Sequence, residues 1–318
     1  MKRWRRALIA IACLAVAGSA AGAGAFSAFT SAANNTGSSV SAAPDFRAPT
    51  VDAVIGKTAG GAADYLRPSN TYRVYANVTD TGNPASGLAT LTADVSSLSA
   101  GQTAITFTAG TYTFDGVTYN RRSTNQYTAG ASTGAKAWTV SASDNAGNSA
   151  VTNWSATVDN TAPAGAAVQA TNTAPSGTPG RAETGDTLTL TSTEPLYPAS
   201  ILAGWTGAST NVTVRLDNNG GGDRVRIFNA GNTTQLNLGT VFLNRTDYTT
   251  ANRRFTNSTM TMSGSTITIV LGTPNGAVTT AAGTGAMTWT PSATATDLAG
   301  NAMSTTTVTE AVPLDKEF

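Results

Sequence analysis

The chain contains no histidine, and its single cysteine is Cys13. Without histidine, neither a Ser-His-Asp nor a Cys-His catalytic arrangement can form, and the common zinc sites are excluded. Cys13 lies in a segment that we expect to be removed, so the mature chain would have neither disulfides nor thiolate metal sites. Its stability would then depend on core burial and strand pairing alone.

Charge is also scarce, because only 12% of the residues are charged and the formal net charge is +1. Of the 19 basic residues, four lie in the N-terminal segment (Lys2, Arg3, Arg5 and Arg6), so the rest of the chain has 15 basic and 18 acidic residues. A mature chain with a net charge of −3 is a poor match for nucleic acid or an anionic membrane surface.

The N-terminus has the pattern of an export signal. Basic residues 1–6 precede an apolar run, 7–18, that is too short to span a bilayer. The small residues that follow offer Ala-x-Ala cleavage sites ending at Ala23 and Ala25, and we expect cleavage after Ala25. An uncleaved anchor is the alternative. Processing as a lipoprotein at Cys13 is disfavoured because it would leave a very short apolar run.

The segment Gly22-Ala-Gly-Ala-Phe26-Ser-Ala-Phe29-Thr-Ser, followed by a Gly/Ser-rich stretch from Asn35, resembles the leader region of TasA/camelysin-type exported proteins. The resemblance implies processing by a SipW-like signal peptidase and export from a Gram-positive-type cell. The chain departs from the family at Thr30 and Ser31, where an acidic residue usually follows the aromatic pair.

The remaining composition predicts an all-β protein. Thr and Val favour strands, while Asn and Gly favour turns. With 40% hydrophobic residues there is enough apolar surface for real cores, and 318 residues suggest two domains.

One phrase occurs twice, 153 residues apart. Trp138 and Trp289 each begin an alternating run of small, apolar and hydroxyl residues, which ends at Asp-x-Ala-Gly-Asn, residues 144–148 and 297–301. Alternation with period two followed by a tight glycine turn predicts a hairpin. The repetition therefore predicts two tandem β-domains after an N-terminal signal helix.

The first domain is expected at 48–160, after a flexible N-terminal arm at 26–47. In its last strand, Val151, Trp154, Ala156 and Val158 should face inward, with a bulge near Asn153. The number and spacing of the strands predict an immunoglobulin-like sandwich. The predicted strands are 72–79, 88–95, 103–108, 111–119 with a turn at Asp115-Gly116, 138–142 and 151–158.

Segments 140–148 and 158–163 resemble the "TATDxAGN" hairpin and the "VDNTAP" junction of bacterial Ig-like surface modules. Segment 186–200 resembles another bacterial Ig-like type, found in S-layer and adhesin proteins. There Tyr197 replaces the usual Asp, which weakens any metal role for that loop; Thr191 and Thr193 are further departures.

The second domain is expected at 161–318, larger than an ordinary Ig-like module, with extra hairpins between 217 and 257. The glycine run 220–222 lies in a predicted hairpin tip, so it is not a phosphate loop. The predicted strands are 186–191, 212–216, 224–228, 236–243, 259–262 and 266–271.

Turn formation by itself accounts for the repeated Asp-x-Ala-Gly-Asn phrase, because Asp caps its own turn and Gly and Asn accept a left-handed backbone. We therefore expect no cofactor. The alternative is calcium at the domain junction, held by Asp144, Asn145, Asp159 and Asn160.

The aromatic residues suggest a core rather than a sugar-binding platform, since Trp138, Trp154 and Trp289 are in phase with apolar residues. An exposed platform would use the less constrained aromatics: Trp205, Tyr197, Tyr248, Tyr65 and Tyr75. Glycosidase-type catalysis needs a carboxylate pair, but we expect the nearest cluster in sequence, Glu183, Asp186 and Glu194, to be solvated edge residues.

The sequence thus predicts an exported, non-enzymatic structural or adhesive protein of the bacterial cell surface or extracellular matrix. Its partners would be other surface or matrix proteins, and it could self-associate by adding residues 26–46 to a neighbour's sheet. The alternative is a glycan-binding protein of the cell wall or environment. The C-terminus shows neither a sortase motif nor an apolar anchor, so we expect the protein to be released or held non-covalently.

Overall fold

The computed structural model describes residues 45–82, 84–173 and 177–318. The fold is all-β, with two large sheets that form β-sandwiches, as the composition predicts. The leader, its cleavage sites at Ala23 and Ala25, and residues 26–44 of the predicted arm lie outside the described residues. Within the described part of the chain, no helix is long and apolar enough to cross a membrane.

The first sheet has nine strands in the order β1-β3-β6-β5-β4-β8-β9-β2, and β7 pairs with β3. The short β2 pairs with β9 in parallel, whereas β5 and β6 form an antiparallel hairpin. The strands are β1 (Thr50–Lys57), β2 (Tyr65–Leu66), β3 (Thr71–Thr79), β4 (Leu88–Asp94), β5 (Ile105–Phe114), β6 (Val117–Ser123), β7 (Tyr127–Thr128), β8 (Gly134–Asp144) and β9 (Ser149–Val158).

The second sheet has ten strands in the order β10-β11-β16-β15-β12-β13-β14-β18-β19, and β17 pairs with β15. One short helix, α1 (Pro198–Ile201), follows β11. The strands are β10 (Gly165–Thr171), β11 (Thr187–Ser192), β12 (Thr210–Asp217), β13 (Arg224–Asn229), β14 (Thr240–Phe242), β15 (Arg253–Ser263), β16 (Thr266–Val270), β17 (Thr273–Pro274), β18 (Thr288–Thr290) and β19 (Val308–Thr309).

Seven strands occur in the same order in both sheets. Replacing β10, β11, β16, β15, β12, β18 and β19 by β1, β3, β6, β5, β4, β8 and β9 reproduces the first order up to β9. The short strands β2, β7 and β17 have no counterparts, and the second sheet has β13 and β14 in addition. Both extra strands lie inside 217–257, where the sequence predicts additional hairpins. The second sheet is therefore the first topology with a strand pair inserted between two neighbours.

Period-two alternation places the apolar side chains of the second sheet in one core. Leu188 and Leu190 of β11 are fully or almost fully buried and lie opposite Ile269 and Ile267 of β16. Burying each such side chain contributes about 1.5–3 kcal/mol. Because a slip of one residue would turn the whole row to solvent, this alternation fixes the register.

The described chain forms two compact units whose limits differ from those of the sheets. One contains the chain up to Asp52, Asn77–Thr92 and Val140–Thr152; the other contains Ala53–Ala76, Ala93–Thr139 and Asn153–Phe318. The domain limits expected at 160 and 161 stay a prediction, although the stretch between β9 and β10 contains no strand.

Several strand predictions are confirmed. Asp115 and Gly116 join β5 to β6 with φ angles of 46° and 78°, as a type I′ hairpin turn requires. The hairpin around 217–223 is formed by β12 and β13.

Other strand predictions are wrong. Residues 103–108 and 111–119 do not form separate strands: β5 is continuous, with a register shift between Ala109 and Tyr112. The strand expected at 236–243 is reduced to β14. The alternating run after Trp289 forms strand only to Thr290, because Pro291 has no N–H for the ladder. The inward position predicted for Val151 is also wrong, since it is 64% exposed.

Candidate cation sites at two matching aspartate turns

The first aspartate turn joins β8 to β9 and is closed by the side chain of Asp144. Its Oδ1 accepts a hydrogen bond from the Asn148 N–H at 2.8 Å, and its Oδ2 accepts one from Asn148 Nδ2 at 2.7 Å. Gly147 has a φ of 93°, which favours glycine. The predicted role of Asp as the cap of its own turn is confirmed here.

The second turn repeats this geometry around Asp297. Oδ1 accepts hydrogen bonds from the N–H groups of Gly300 (2.6 Å) and Asn301 (2.7 Å), and Oδ2 accepts one from Asn301 Nδ2 at 2.7 Å. Gly300 has a φ of 94°. Unlike the first turn, this one does not connect two strands of a hairpin. The residues on either side of it, Thr296 and Ala302, form an isolated antiparallel bridge.

Each turn holds the chain segment that precedes its sheet. Asn148 Nδ2 donates to the carbonyl oxygen of Asp45, and Asn301 Nδ2 donates to that of Asp159, both at 3.3 Å. Asp45 and Asp159 each accept a hydrogen bond through Oδ1 from the N–H two residues later. The turns therefore fasten equivalent entry segments, which read Asp-x-x-Ala-Pro at 45–49 and at 159–163.

A third acidic residue completes each cluster. One carboxylate oxygen from each of Asp45, Asp80 and Asp144 lies within 4.8 Å of the others, and the same holds for the second set, Asp159, Glu194 and Asp297. Asp80 directly follows β3, and Glu194 comes two residues after its counterpart, β11.

The spacing of these acids locates the inserted strands independently of the topology. Asp45 and Asp80 precede their counterparts by 114 residues, whereas Asp144 precedes Asp297 by 153. The extra residues must therefore lie between Glu194 and Asp297, where β13 and β14 are found.

The two clusters differ in the hydrogen bonds that their carboxylates accept. In the first, Asp80 Oδ2 accepts a hydrogen bond from the Gly87 N–H at 2.6 Å, and Asp45 Oδ2 accepts one from the Ser86 N–H at 3.0 Å. The hydrogen bond from the Arg47 N–H contributes most to a lowered pKa of Asp45. These backbone donors therefore favour the ionised form of Asp45.

In the second cluster, Oε1 of Glu194 is buried and accepts no hydrogen bond in the described part of the chain. Desolvation, with the charges of Asp159 and Asp297 as smaller causes, raises the pKa of Glu194 to about 7. Lys57 is buried and donates through Nζ to the carbonyl oxygen of Leu298 at 2.8 Å. Burial lowers the pKa of Lys57 to about 8, and the charge of Asp297 opposes this shift.

Both clusters present carboxylate oxygens, which are the ligands that Ca²⁺ prefers. The ligand set expected from the sequence is nevertheless wrong in its membership. Asp144 belongs to the first cluster and Asp159 to the second, so the two acids do not share one site. The 114-residue repetition of Asp-x-x-Ala-Pro was the sequence signal that could have identified Asp45 and separated the two sets.

The predicted aromatic core is confirmed for Trp138 and Trp289, which are 2% and 1% exposed. Trp154 is half-buried and stacks on Trp138 with ring centroids 6.1 Å apart. The platform expected from the other aromatics is wrong for three of its five members, because Trp205, Tyr248 and Tyr75 are buried. Tyr197 and Tyr65 are partly exposed.

The predicted solvated edge of Glu183, Asp186 and Glu194 is also incorrect. Asp186 is fully buried and accepts hydrogen bonds from the N–H groups of Thr173 (2.9 Å) and Glu183 (2.6 Å), so it closes a loop. Glu183 forms an ion pair with Arg181, in which Oε1 and Nε are 3.5 Å apart, while Glu194 belongs to the second cluster. These carboxylates therefore serve two different local structures.

Comparison of the chain with protein-family models, curated proteins and solved structures gave no match.

Proposed function

We propose that this is an exported, non-enzymatic structural or adhesive protein of the bacterial cell surface or extracellular matrix, built from two tandem Ig-like modules. One observation carries the proposal: the same fold occurs twice, and each copy has an aspartate turn hydrogen-bonded to the segment that enters it. Fastened entry segments suit modules that are joined in series and bear load.

Calcium is a second part of the proposal, because each cluster brings three carboxylates to one point. A bound Ca²⁺ would neutralise their mutual repulsion and add to the hold on the entry segment. The second cluster has the stronger need for a cation, since Glu194 Oε1 has no donor in the described structure.

Export is tested by expressing the chain with its own leader in a Gram-positive host, with and without a SipW-like peptidase. We expect a mature N-terminus at Phe26 and recovery from the medium or the cell surface only when the peptidase is present. An intact leader in the cell fraction of both hosts would contradict the export assignment.

Self-association through the N-terminal arm is tested by deleting residues 26–44, which leaves Asp45 and its cluster in place. If the arm adds a strand to a neighbour's sheet, the deletion should abolish oligomers seen by light scattering. Replacing the arm by a Gly/Ser sequence of equal length is the matched control. Unchanged self-association of the deleted chain would exclude the arm as the donor.

A further inference from the structure

We infer that Glu310, Asp315 and Glu317 form a further divalent-cation site, for Ca²⁺, separate from the two repeated clusters. One carboxylate oxygen from each of these residues lies within 4.8 Å of the others. The site has no counterpart in the first sheet, because the residue 153 positions before Glu310 is Thr157. The duplication therefore does not explain why these acids are together.

Backbone hydrogen bonds fix the two glutamates. Glu310 directly follows β19, and its N–H donates to the Met287 carbonyl oxygen at 2.8 Å. The Glu317 N–H donates to Tyr248 Oη, also at 2.8 Å, and Tyr248 is fully buried. Glu310 is thus held by the main chain directly before β18, and Glu317 is held by a fully buried tyrosine. The approach of the two glutamates is therefore built into the fold.

Burial makes this approach costly unless a positive charge is present. Glu317 is 0% exposed and Glu310 is 5% exposed. In the described part of the chain, neither carboxylate oxygen of Glu317 accepts a hydrogen bond, and neither does Glu310 Oε1. Only Glu310 Oε2 has a donor, the Met287 N–H at 3.3 Å. Buried carboxylates without partners strongly destabilise the folded state if they stay charged.

None of the ion pairs found among the described residues supplies the missing charge, because they join Arg181 to Glu183, Arg226 to Asp217 and Arg245 to Asp247. Burial, followed by the interactions with Glu310 and Asp315, raises the pKa of Glu317 well above its usual range. Either a proton shared by the glutamates or a cation must therefore balance the cluster.

The arrangement favours a cation of the calcium type. Two carboxylates are buried, while Asp315 is exposed at the edge and gives an ion a path from solvent. Hard oxygen ligands with irregular geometry suit Ca²⁺, which tolerates varied coordination and completes its shell with water.

The test is calorimetric titration of the purified chain with Ca²⁺ at pH 7.5. Glu317→Gln should remove one equivalent of bound Ca²⁺. The Gln side chain has nearly the same size and can donate to Glu310, so the variant should stay folded. The double variant Asp144→Asn/Asp297→Asn is the matched control and should retain the Glu317-dependent equivalent.

Asp315→Asn provides a second measurement on an exposed residue that does not threaten folding. We expect Ca²⁺ to bind at this site at least tenfold more weakly. Equal numbers of bound Ca²⁺ in the wild type and Glu317→Gln, including none in either, would overturn the inference and leave a shared proton between the glutamates. The inference does not rest on the proposed surface role.

Discussion

The two aspartate turns have the same backbone, the same asparagine clamp and the same entry segment, yet their third acids are in different surroundings. Asp80 is held by the Gly87 N–H, whereas Glu194 has a buried oxygen that finds no donor among the described residues. The duplicated fold therefore preserves the turn but not the neutralisation of its charges. Hydrogen bonding within the turn is the common structural function, and the environment of the third acid distinguishes the two copies.

The tryptophans that begin the repeated phrase provide the largest test of this comparison. Trp138→Ala and Trp289→Ala should each lower the free energy of unfolding by about 3–5 kcal/mol, because each removes a large buried side chain and leaves a cavity in the core. Urea unfolding followed by circular dichroism measures the change. Trp154→Ala, at a half-buried position, is the control and should cost less.

The phenylalanine variants of the same tryptophans separate the two copies. Trp289 Nε1 donates to the Leu238 carbonyl oxygen at 2.7 Å, whereas Trp138 Nε1 has no acceptor in the described structure. Trp289→Phe should therefore cost about 1 kcal/mol more than Trp138→Phe, the usual net contribution of one hydrogen bond. Equal costs would show that this contact does not distinguish the copies.

Gly239 tests the docking of the inserted strand β14 against β18. It has a φ of 81°, and an added Cβ would collide with the carbonyl oxygen of Thr290. Gly239→Ala should cost about 3 kcal/mol, from backbone strain together with overpacking. Gly116→Ala is the matched control, because its φ is 78° and its Cβ would meet open space; it should cost about 1 kcal/mol. Similar stabilities for the two variants, measured by urea unfolding, would argue against tight packing of the insertion.

Alanine at the two turn aspartates compares the clamps themselves. Asp297 accepts three hydrogen bonds in its turn and Asp144 accepts two. We expect a loss of about 2 kcal/mol for Asp297→Ala and somewhat less for Asp144→Ala in calcium-free buffer, since relief of charge repulsion offsets part of the hydrogen-bond loss. A larger loss at Asp144, measured by thermal or urea unfolding, would contradict the hydrogen-bond comparison.

Glu194 should also make the stability depend on pH. Its pKa is raised in the folded protein to about 7, so the folded state favours the protonated carboxyl. The corresponding stability is complete below pH 4.5 and is lost as the pH rises to about 7. In calcium-free urea titrations between pH 4.5 and 7.5, Glu194→Gln should reduce this loss, while Asp80→Asn serves as the matched control. A wild-type slope that persists in Glu194→Gln would assign the pH dependence to other groups.

The sequence was sufficient for the fold class, the Asp115-Gly116 hairpin and the position of the insertion, because these depend on local alternation and turn chemistry. It failed at Val151, which fits the alternation of its strand yet faces solvent, so tertiary context overrides the local pattern there. The strand that begins near Trp289 ends at Thr290 for a local reason, since Pro291 has no N–H for the ladder.

The candidate site was predicted in part. Asp144 and Asp159 were identified as possible ligands, but the pairing of acids in space depends on which loops meet at one end of a sheet. Asp80 lies 64 residues before Asp144 and Glu194 lies 103 residues before Asp297, so no local spacing relates the members of either pair. Glu317 was missed because nothing in its local sequence indicates burial.

The proposed structural role is tested most directly by light scattering and negative-stain imaging of the purified mature chain, in calcium and in chelator. Filaments or discrete oligomers are expected, with calcium increasing their order or number if the aspartate clusters bind it. A strictly monomeric protein in both conditions would contradict the self-associating structural role. Binding of that monomer to cell-wall glycan would then favour the alternative of a glycan-binding protein.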